Sequence, residues 1–307
     1  MKIRIGTRGS ELALRQAEIV AGLLKASQPG LEFQLIIVRT SGDEVSDRSQ
    51  GDLAPGNKGG FVKELQRALV EGKVDVAVHS LKDVPLDLPE ETVLAAFCER
   101  EDPADVLVSL KYRGLEDIPV GGRVGTSSPR RAFQLSLLRP DLLPVPVRGN
   151  VITRLEKLRG GECDALVLAA AGLNRLGIDG FERERLPLDL FLPSPGQGIV
   201  VVEARRDDPE VIRVLSRLDN HRVRVEAEAE RAFCRWVGAD CDTRTGALAR
   251  CRGDLLHLSA FHWFREEKRA RKGEMTGRPD EAEELGRRLA AFLSRGGEGK
   301  AEANEIV

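Results

Sequence analysis

The run Asp75-Val76-Ala77-Val78-His79-Ser80-Leu81-Lys82-Asp83-Val84-Pro85 holds the residue types in this chain best suited to chemistry. Val74 to Val78 reads as a short buried strand, apolar and mostly β-branched apart from Asp75, and Pro85 forbids its continuation. In an open α/β sheet, ligands sit beyond the carboxyl ends of the strands, where this one delivers Ser80, Lys82 and Asp83. A carboxylate beside an ammonium stays ionised at neutral pH, so Asp83 can stabilise a developing cation or shuttle a proton. Taken alone, the run also reads as a surface lysine–aspartate pair that closes a loop.

A set of arginines weighs against that plainer reading. One strand ends Gly6-Thr7-Arg8-Gly9-Ser10 before a helix; a later one ends Gly125-Thr126-Ser127-Ser128-Pro129-Arg130-Arg131 before another. Each puts backbone N–H groups, hydroxyls and arginine at a helix amino terminus, a ready anion site. Arg148 follows Val147 at a strand end, Arg154 stands one turn into the next helix, and Arg175 follows Ala171-Gly172-Leu173-Asn174. Singly, each is also explained as part of a solvated helix face. Guanidinium forks suit bidentate carboxylate binding, and six at element starts point to a substrate bearing several carboxylates. Gly51–Gly60 is no Walker A loop, since Lys58 is neither preceded by Gly nor followed by Ser or Thr.

The elements that must position these residues alternate in type. Lys2–Gly6 is a strand, Glu11–Leu24 a helix capped by Ser10, and Glu32–Val38 the next strand. Thr40 to Gly60 is polar and glycine-rich, with the length of a lid or binding loop. Phe61–Glu71 is an amphipathic helix that leads into the strand before Ser80. This βαβ alternation implies a largely parallel sheet. A second such unit begins near Asp102, with strands at Arg123–Gly125, Leu143–Val147 and Ala165–Ala169. Its helices start behind Ser128-Pro129 and, at Ile152–Arg159, behind Asn150. Ile199–Ala204 reads as a strand returning to the first sheet. After Asp219 come a charged helix, Arg222–Cys234, three strands (Thr245–Ala249, Leu255–Phe264, Lys268–Glu274) and a helix, Pro279–Ser294. The tail Gly296–Val307 is expected to fray.

Composition bounds the function. The 307 residues are 41% hydrophobic and 31% charged, as in a soluble globular protein of two or three domains. A net charge of −2 and only 4% aromatics argue against a nucleic-acid partner, so any anion site is a local concentration of cations. The amino terminus has no export-signal core and no apolar run approaches a membrane span, so the expected setting is the cytoplasm, with no membrane partner. Five cysteines without CxxC spacing and four scattered histidines suggest reduced thiols and no metal site. Cys98, beside Ala95-Ala96-Phe97, is expected to be a packed core thiol.

At this point the chain resembles a known family, hydroxymethylbilane synthase, also called porphobilinogen deaminase. The matching segments begin with Gly6-Thr7-Arg8-Gly9-Ser10-Glu11-Leu12-Ala13-Leu14 and Lys58-Gly59-Gly60-Phe61-Val62-Lys63-Glu64-Leu65. Ala77-Val78-His79-Ser80-Leu81-Lys82-Asp83-Val84-Pro85, Arg100-Glu101-Asp102-Pro103 and Val124-Gly125-Thr126-Ser127-Ser128 continue the series. Arg130-Arg131, Arg148-Gly149-Asn150-Val151 and Pro195-Gly196-Gln197-Gly198 complete it. The resemblance covers roughly residues 3–250. It implies two α/β domains like those of type II periplasmic binding proteins, with a cleft between them, plus a small α+β carboxyl-terminal domain. The implied ranges are 1–96 with 195–213, then 100–192, then 218–307.

The resemblance also implies a reaction. Four porphobilinogens are deaminated and joined head to tail into the linear tetrapyrrole hydroxymethylbilane, on a dipyrromethane cofactor held by a cysteine thioether. By position that cysteine is Cys241. The same match makes Asp83 the catalytic carboxylate, and gives the cofactor Lys82, Asp83, Thr126, Ser127, Ser128, Arg130, Arg131 and Arg148. It gives the substrate Arg8, Ser10, Gln16, Arg154 and Arg175, and implies a monomer. Loss of ammonia from an aminomethylpyrrole leaves an electron-poor azafulvene, which a carboxylate against the ring N–H stabilises. One departure is local. The family usually shows Gly-Gly before the cysteine and a proline after it, whereas this chain reads Val237-Gly238-Ala239-Asp240-Cys241-Asp242-Thr243-Arg244-Thr245-Gly246. Two flanking aspartates disfavour the thiolate unless Arg244 offsets them. The rival from another class is a non-catalytic two-lobed protein that binds a small carboxylate.

Overall fold

A computed structural model describes residues 2–38, 60–240 and 243–302. In chain order these form β1 (Lys2–Thr7), α1 (Glu11–Ser27), β2 (Glu32–Ile37), α2 (Gly60–Val70), β3 (Val76–Ser80), β4 (Thr92–Phe97) and β5 (Asp105–Ser109). Next come β6 (Arg123–Gly125), α3 (Pro129–Leu138), β7 (Leu143–Val145), α4 (Val151–Arg159), β8 (Ala165–Ala169), α5 (Ala170–Leu176) and β9 (Glu182–Arg185). The rest is β10 (Val200–Arg205), α6 (Pro209–Leu215), α7 (His221–Trp236), β11 (Thr245–Arg252), β12 (Leu255–Phe264), β13 (Arg269–Gly277), α8 (Ala282–Ser294) and β14 (Gly299–Glu302). Among the described residues no helix is long and apolar enough to cross a membrane.

The chain folds as two compact units, one of Met1–Glu101 with Ile199–Arg224, the other of Asp102–Gly198 with Val225–Val307. The first holds a sheet of order β2-β1-β3-β10-β4. Its first three strands are parallel, and β10 runs antiparallel to β3 and β4. Ile3, Ile5, Val76, Val78, Val200 and Val202 bury one face under α1 and α6, while Ala77 faces Leu65 and Leu69 of α2. Strands covered on both faces read as nearly continuous apolar runs, which made β3 and β10 legible. Cys98 lies in this core, as expected.

The second unit repeats the plan. Its sheet runs β7-β6-β8-β5-β9, with β6 parallel to β7 and β8 and with β5 antiparallel to β8 and β9. The two sheets thus share one mixed α/β strand plan. β7 stops at Val145, short of the expected Val147, because Pro146 has no N–H to extend the ladder. The same unit carries an α+β sheet, β11-β12-β13-β14, under α8. Glu226 and Glu230 of α7 are buried and accept from the N–H groups of Cys251 and Ala249, so the edge strand β11 keeps its donors satisfied. The frayed tail expected from Gly296 onward is corrected over Gly299–Glu302, which pairs parallel to β13. Gly296 and Gly299 take positive φ and turn the chain back onto the free edge of that strand.

Candidate active site

In the first unit β1 and β3 lie side by side, with Ile5 opposite Val76 and Gly6 opposite Ala77, so their carboxyl ends emerge together. One supplies Arg8 and Ser10, the other Ser80, Lys82 and Asp83. Ser10 caps α1, accepting from the Ala13 N–H at 3.4 Å. Gln16, on the buried face of α1, donates from Nε2 to Ser80 Oγ at 2.9 Å and so ties that helix to the end of β3. A 3-10 turn, Leu81–Asp83, then closes the strand: the Leu81 N–H bonds Ile199 O at 3.0 Å and the Val84 N–H bonds Leu81 O at 3.0 Å. Leu81 is buried while Asp83 is exposed. The surface lysine–aspartate pair of the plainer reading does not form here. Among the described residues the Asp83 carboxylate makes no hydrogen bond or ion pair. Successive side chains on a 3-10 turn diverge by a third of a turn, which separates these neighbours.

Behind this strand end sits a buried polar cluster that sequence reasoning missed. Glu203 of β10 accepts from Gln66 Nε2 at 3.1 Å and from Thr92 Oγ1 at 2.5 Å, and stands 3.0 Å from His79 Nε2. Burial pushes the Glu203 carboxyl up, but His79, Thr92 and Gln66 together outweigh it and hold it below the usual range. An acid inside the apolar run Val200-Val201-Val202-Glu203-Ala204 was the available signal.

In the second unit the parallel strands β6, β7 and β8 present their carboxyl ends together. Gly125 closes β6 where a side chain would meet Leu166, Val147 and Cys163 at under 3 Å, so only glycine lets the chain turn into Thr126. The Thr126 N–H bonds Val145 O at 2.8 Å, and Ser128 caps α3 by accepting from the Arg131 N–H at 3.4 Å. The Ser127 hydroxyl is buried with no hydrogen-bond partner among the described residues. Gly149, at φ +115°, swings the chain after β7 into α4 and leaves its carbonyl to accept from Arg154 Nε at 2.8 Å. Arg175 Nη2 donates to Gly198 O at 2.7 Å. Arg148 is exposed and makes no hydrogen bond or ion pair among the described residues.

Arg130 and Arg131 are buried and share one acid, Asp105 at the start of β5. Arg131 donates from Nε and Nη2 to Oδ1 at 3.0 and 2.7 Å, and Arg130 Nη2 lies 2.7 Å from Oδ2. Carbonyls take further donors, with Arg130 Nη1 on Leu192 O at 2.6 Å and Arg131 Nη1 on Val167 O at 3.0 Å. Burial would raise the Asp105 carboxyl, but the two guanidinium charges and the bonds from Arg131 and Gln197 hold it down to about 2. Burial also lowers Arg130 from its ordinary value, opposed by Asp105 and reinforced by Arg131. Gln197 donates to Asp105 Oδ1 at 3.0 Å and to Pro103 O at 2.7 Å. Neither Asp105 nor Gln197 was in the sequence-based set, although an aspartate opening the apolar strand Asp105-Val106-Leu107-Val108 was visible.

Two cations on one acid leave a positive surplus, and Arg148 adds an exposed guanidinium at the next strand end. With the buried Ser127 hydroxyl, this donor set fits a ligand bearing acetate and propionate groups. Cys241 and the expected Thr40–Gly60 loop, apart from Gly60 at the start of α2, lie outside the described residues. On either side of that cysteine the chain is pinned: Thr243 Oγ1 donates to Asp240 O at 2.8 Å, and the Thr243 N–H bonds the same carbonyl at 3.3 Å.

Sequence comparison decides the family. Residues 3–213 match a family described as "Porphobilinogen deaminase, dipyromethane cofactor binding domain", and residues 224–294 match its carboxyl-terminal domain. The chain belongs to the porphobilinogen deaminase family. Similar curated proteins include porphobilinogen deaminases of Xanthomonas axonopodis pv. citri, 49% identical over 95% of both chains, and of Syntrophomonas wolfei, 42% identical over 96% of both. Among solved structures, a periplasmic substrate-binding protein from Coxiella burnetii is 17% identical over 70% of this chain and 91% of that one, at a TM-score of 0.43. As a porphobilinogen deaminase the chain is a transferase of tetrapyrrole biosynthesis with a dipyrromethane cofactor, and the reading as a non-catalytic carboxylate binder is set aside.

Proposed function

We propose the following division of labour for the reaction that joins four porphobilinogens head to tail into hydroxymethylbilane. Asp83 is the catalytic carboxylate. Held outward on a turn whose neighbouring Leu81 is buried, and with no hydrogen bond or ion pair among the described residues, its charge is free to face the pyrrole N–H where positive charge develops as ammonia leaves. A proton passes through the same carboxylate when the coupled ring regains aromaticity. Lys82 and the Thr126–Ser128 turn, with Arg130, Arg131 and Arg148, bind the cofactor's carboxylates. Arg8, Ser10, Gln16, Arg154 and Arg175 orient the incoming substrate. When bound, the dipyrromethane supplies the free pyrrole α-carbon from which the chain grows. Holding the two rings in register removes much of the entropic barrier.

The attachment point in this reading is Cys241, through a thioether, and its domain is 218–307, with 1–96 plus 195–213 and 100–192 as the other two. The enzyme works in the cytoplasm as a monomer. The observation that carries the proposal is the Asp83 carboxylate at the joint ends of β1 and β3, exposed and unpaired among the described residues. Peptide mapping of active protein tests the covalent part: one dipyrromethane mass on Cys241, absent from Cys241→Ser, supports it. The same mass on Cys98, Cys163, Cys234 or Cys251 overturns it.

A further inference from the structure

Arg244 is held by rings, not by acids. Its guanidinium lies 5.0 Å from the Trp263 ring centroid and 5.5 Å from that of Phe133, within cation–π range of both. Those rings are 5.3 Å apart, and Phe133 also stacks on Phe261 at 6.0 Å. In a chain with only 4% aromatics, two rings against one arginine with a third stacked behind them are a concentration that composition does not supply. Arg244 makes no ion pair among the described residues, although the chain carries 49 acids. Phe133 belongs to α3, the helix whose first turn holds Arg130 and Arg131, while Trp263 and Phe261 belong to β12.

The residues on either side are fastened too. Thr243 Oγ1 bonds Asp240 O, Thr245 Oγ1 donates to Thr243 Oγ1 at 3.1 Å, and Thr245 Oγ1 meets His262 Nδ1 at 2.7 Å. The Trp263 N–H bonds Arg244 O at 3.1 Å. Thr243–Thr245 is thus tied to the preceding Asp240, to β12 and, through the Arg244 side chain, to α3.

We infer that Arg244 is a positioning residue for covalent attachment at Cys241, docking the segment that leaves this cysteine onto the helix that bears Arg130 and Arg131. The inference rests on the reading that Cys241 carries the cofactor. In the attachment step an S–C bond forms between Cys241 Sγ and the aminomethyl carbon of porphobilinogen. The C–N bond breaks, and the amine leaves as ammonia with the thiol proton.

The test uses full-length protein produced without a porphobilinogen supply, then given porphobilinogen while intact mass is followed and the adduct is mapped. Arg244→Leu should lengthen the half-time of mass gain about fivefold, the factor that roughly 1 kcal/mol of lost anchoring represents. Arg244→Lys, which keeps a cation over the rings, should recover most of the rate. In a Trp236→Phe background, Trp263 emission should shift in Arg244→Leu and return toward wild type in Arg244→Lys. If Arg244→Leu fails to fold, Phe133→Leu and Trp263→Leu each remove one face of the stack and carry the same expectation. Wild-type attachment kinetics at Cys241 without the stack would overturn the inference and leave the attachment reading intact. An adduct on another cysteine of the wild-type protein would instead overturn the attachment reading.

Discussion

The two strand-end regions share a strand order and differ in how they treat charge. In the first unit the acid, Asp83, is exposed and unpaired among the described residues. In the second, the acid, Asp105, is buried under two arginines and a glutamine. A solvated carboxylate keeps its freedom to meet a passing cation, whereas a buried one is committed to the charges that justify its desolvation. The difference teaches which residue is available for chemistry and which arranges others. Asp105 fixes two guanidinium groups in place, one buried negative charge against two positive ones.

Removing each acid in turn gives the sharpest contrast. Asp83→Asn should lower kcat by about 10²–10⁴-fold, the usual contribution of a positioned proton-transfer group, with urea stability within about 0.5 kcal/mol of wild type. Asp105→Asn should do the reverse first, costing about 3–5 kcal/mol of stability because two buried cations lose their counter-charge. Matching losses of stability in the two variants would erase the distinction. A smaller effect separates them by pH. Asp105 is depressed from 3.8 to about 2 in the folded protein, so the unfolded chain binds more protons and stability rises with pH between those values. Its contribution of about 2 kcal/mol is complete above about pH 4 and is lost as pH falls to about 2. The stability difference between wild type and Asp105→Asn should hold steady above about pH 4 and shrink as pH falls through that window.

Arg148→Leu probes the ligand side of the comparison. Exposed and making no hydrogen bond or ion pair among the described residues, Arg148 should be dispensable for folding, but its loss should weaken one charged hydrogen-bonded contact by about 1.5–3 kcal/mol. Intact mass of the substrate-loaded variant should then show stalled, truncated adducts. At the small end, Ser10→Ala removes a cap from α1 and should cost about 1 kcal/mol by urea titration, with turnover reduced less than in Asp83→Asn.

Much of this was legible because local signals agreed with the global fold. Glycine–threonine turns before capped helices, Ser128-Pro129 and the apolar strand before Ser80 each carry their meaning in a few residues. What stayed hidden depends on contacts between residues far apart in the chain. Nothing near Arg130 and Arg131 announces Asp105 as their partner, or Gln197 as its third donor, because these pairings exist only once β5, α3 and the Pro193–Gly198 segment are packed together. The buried Glu203 cluster likewise draws on α2, β3, β4 and β10. Adjacency also misled: Lys82 and Asp83 are neighbours in sequence, yet the 3-10 turn points them apart. Composition suggested a loose tail after Gly296, but the open edge of β13 recruits it.

The most direct measurement is the intact-mass spectrum of wild-type and Asp83→Asn protein after one brief exposure to porphobilinogen. Wild type should show a ladder of added pyrrole units above its starting mass. Asp83→Asn, folded by circular dichroism, should remain at its starting mass with no ladder. A full ladder in Asp83→Asn at the wild-type rate would contradict the assignment of the exposed acid as the group that carries the chemistry.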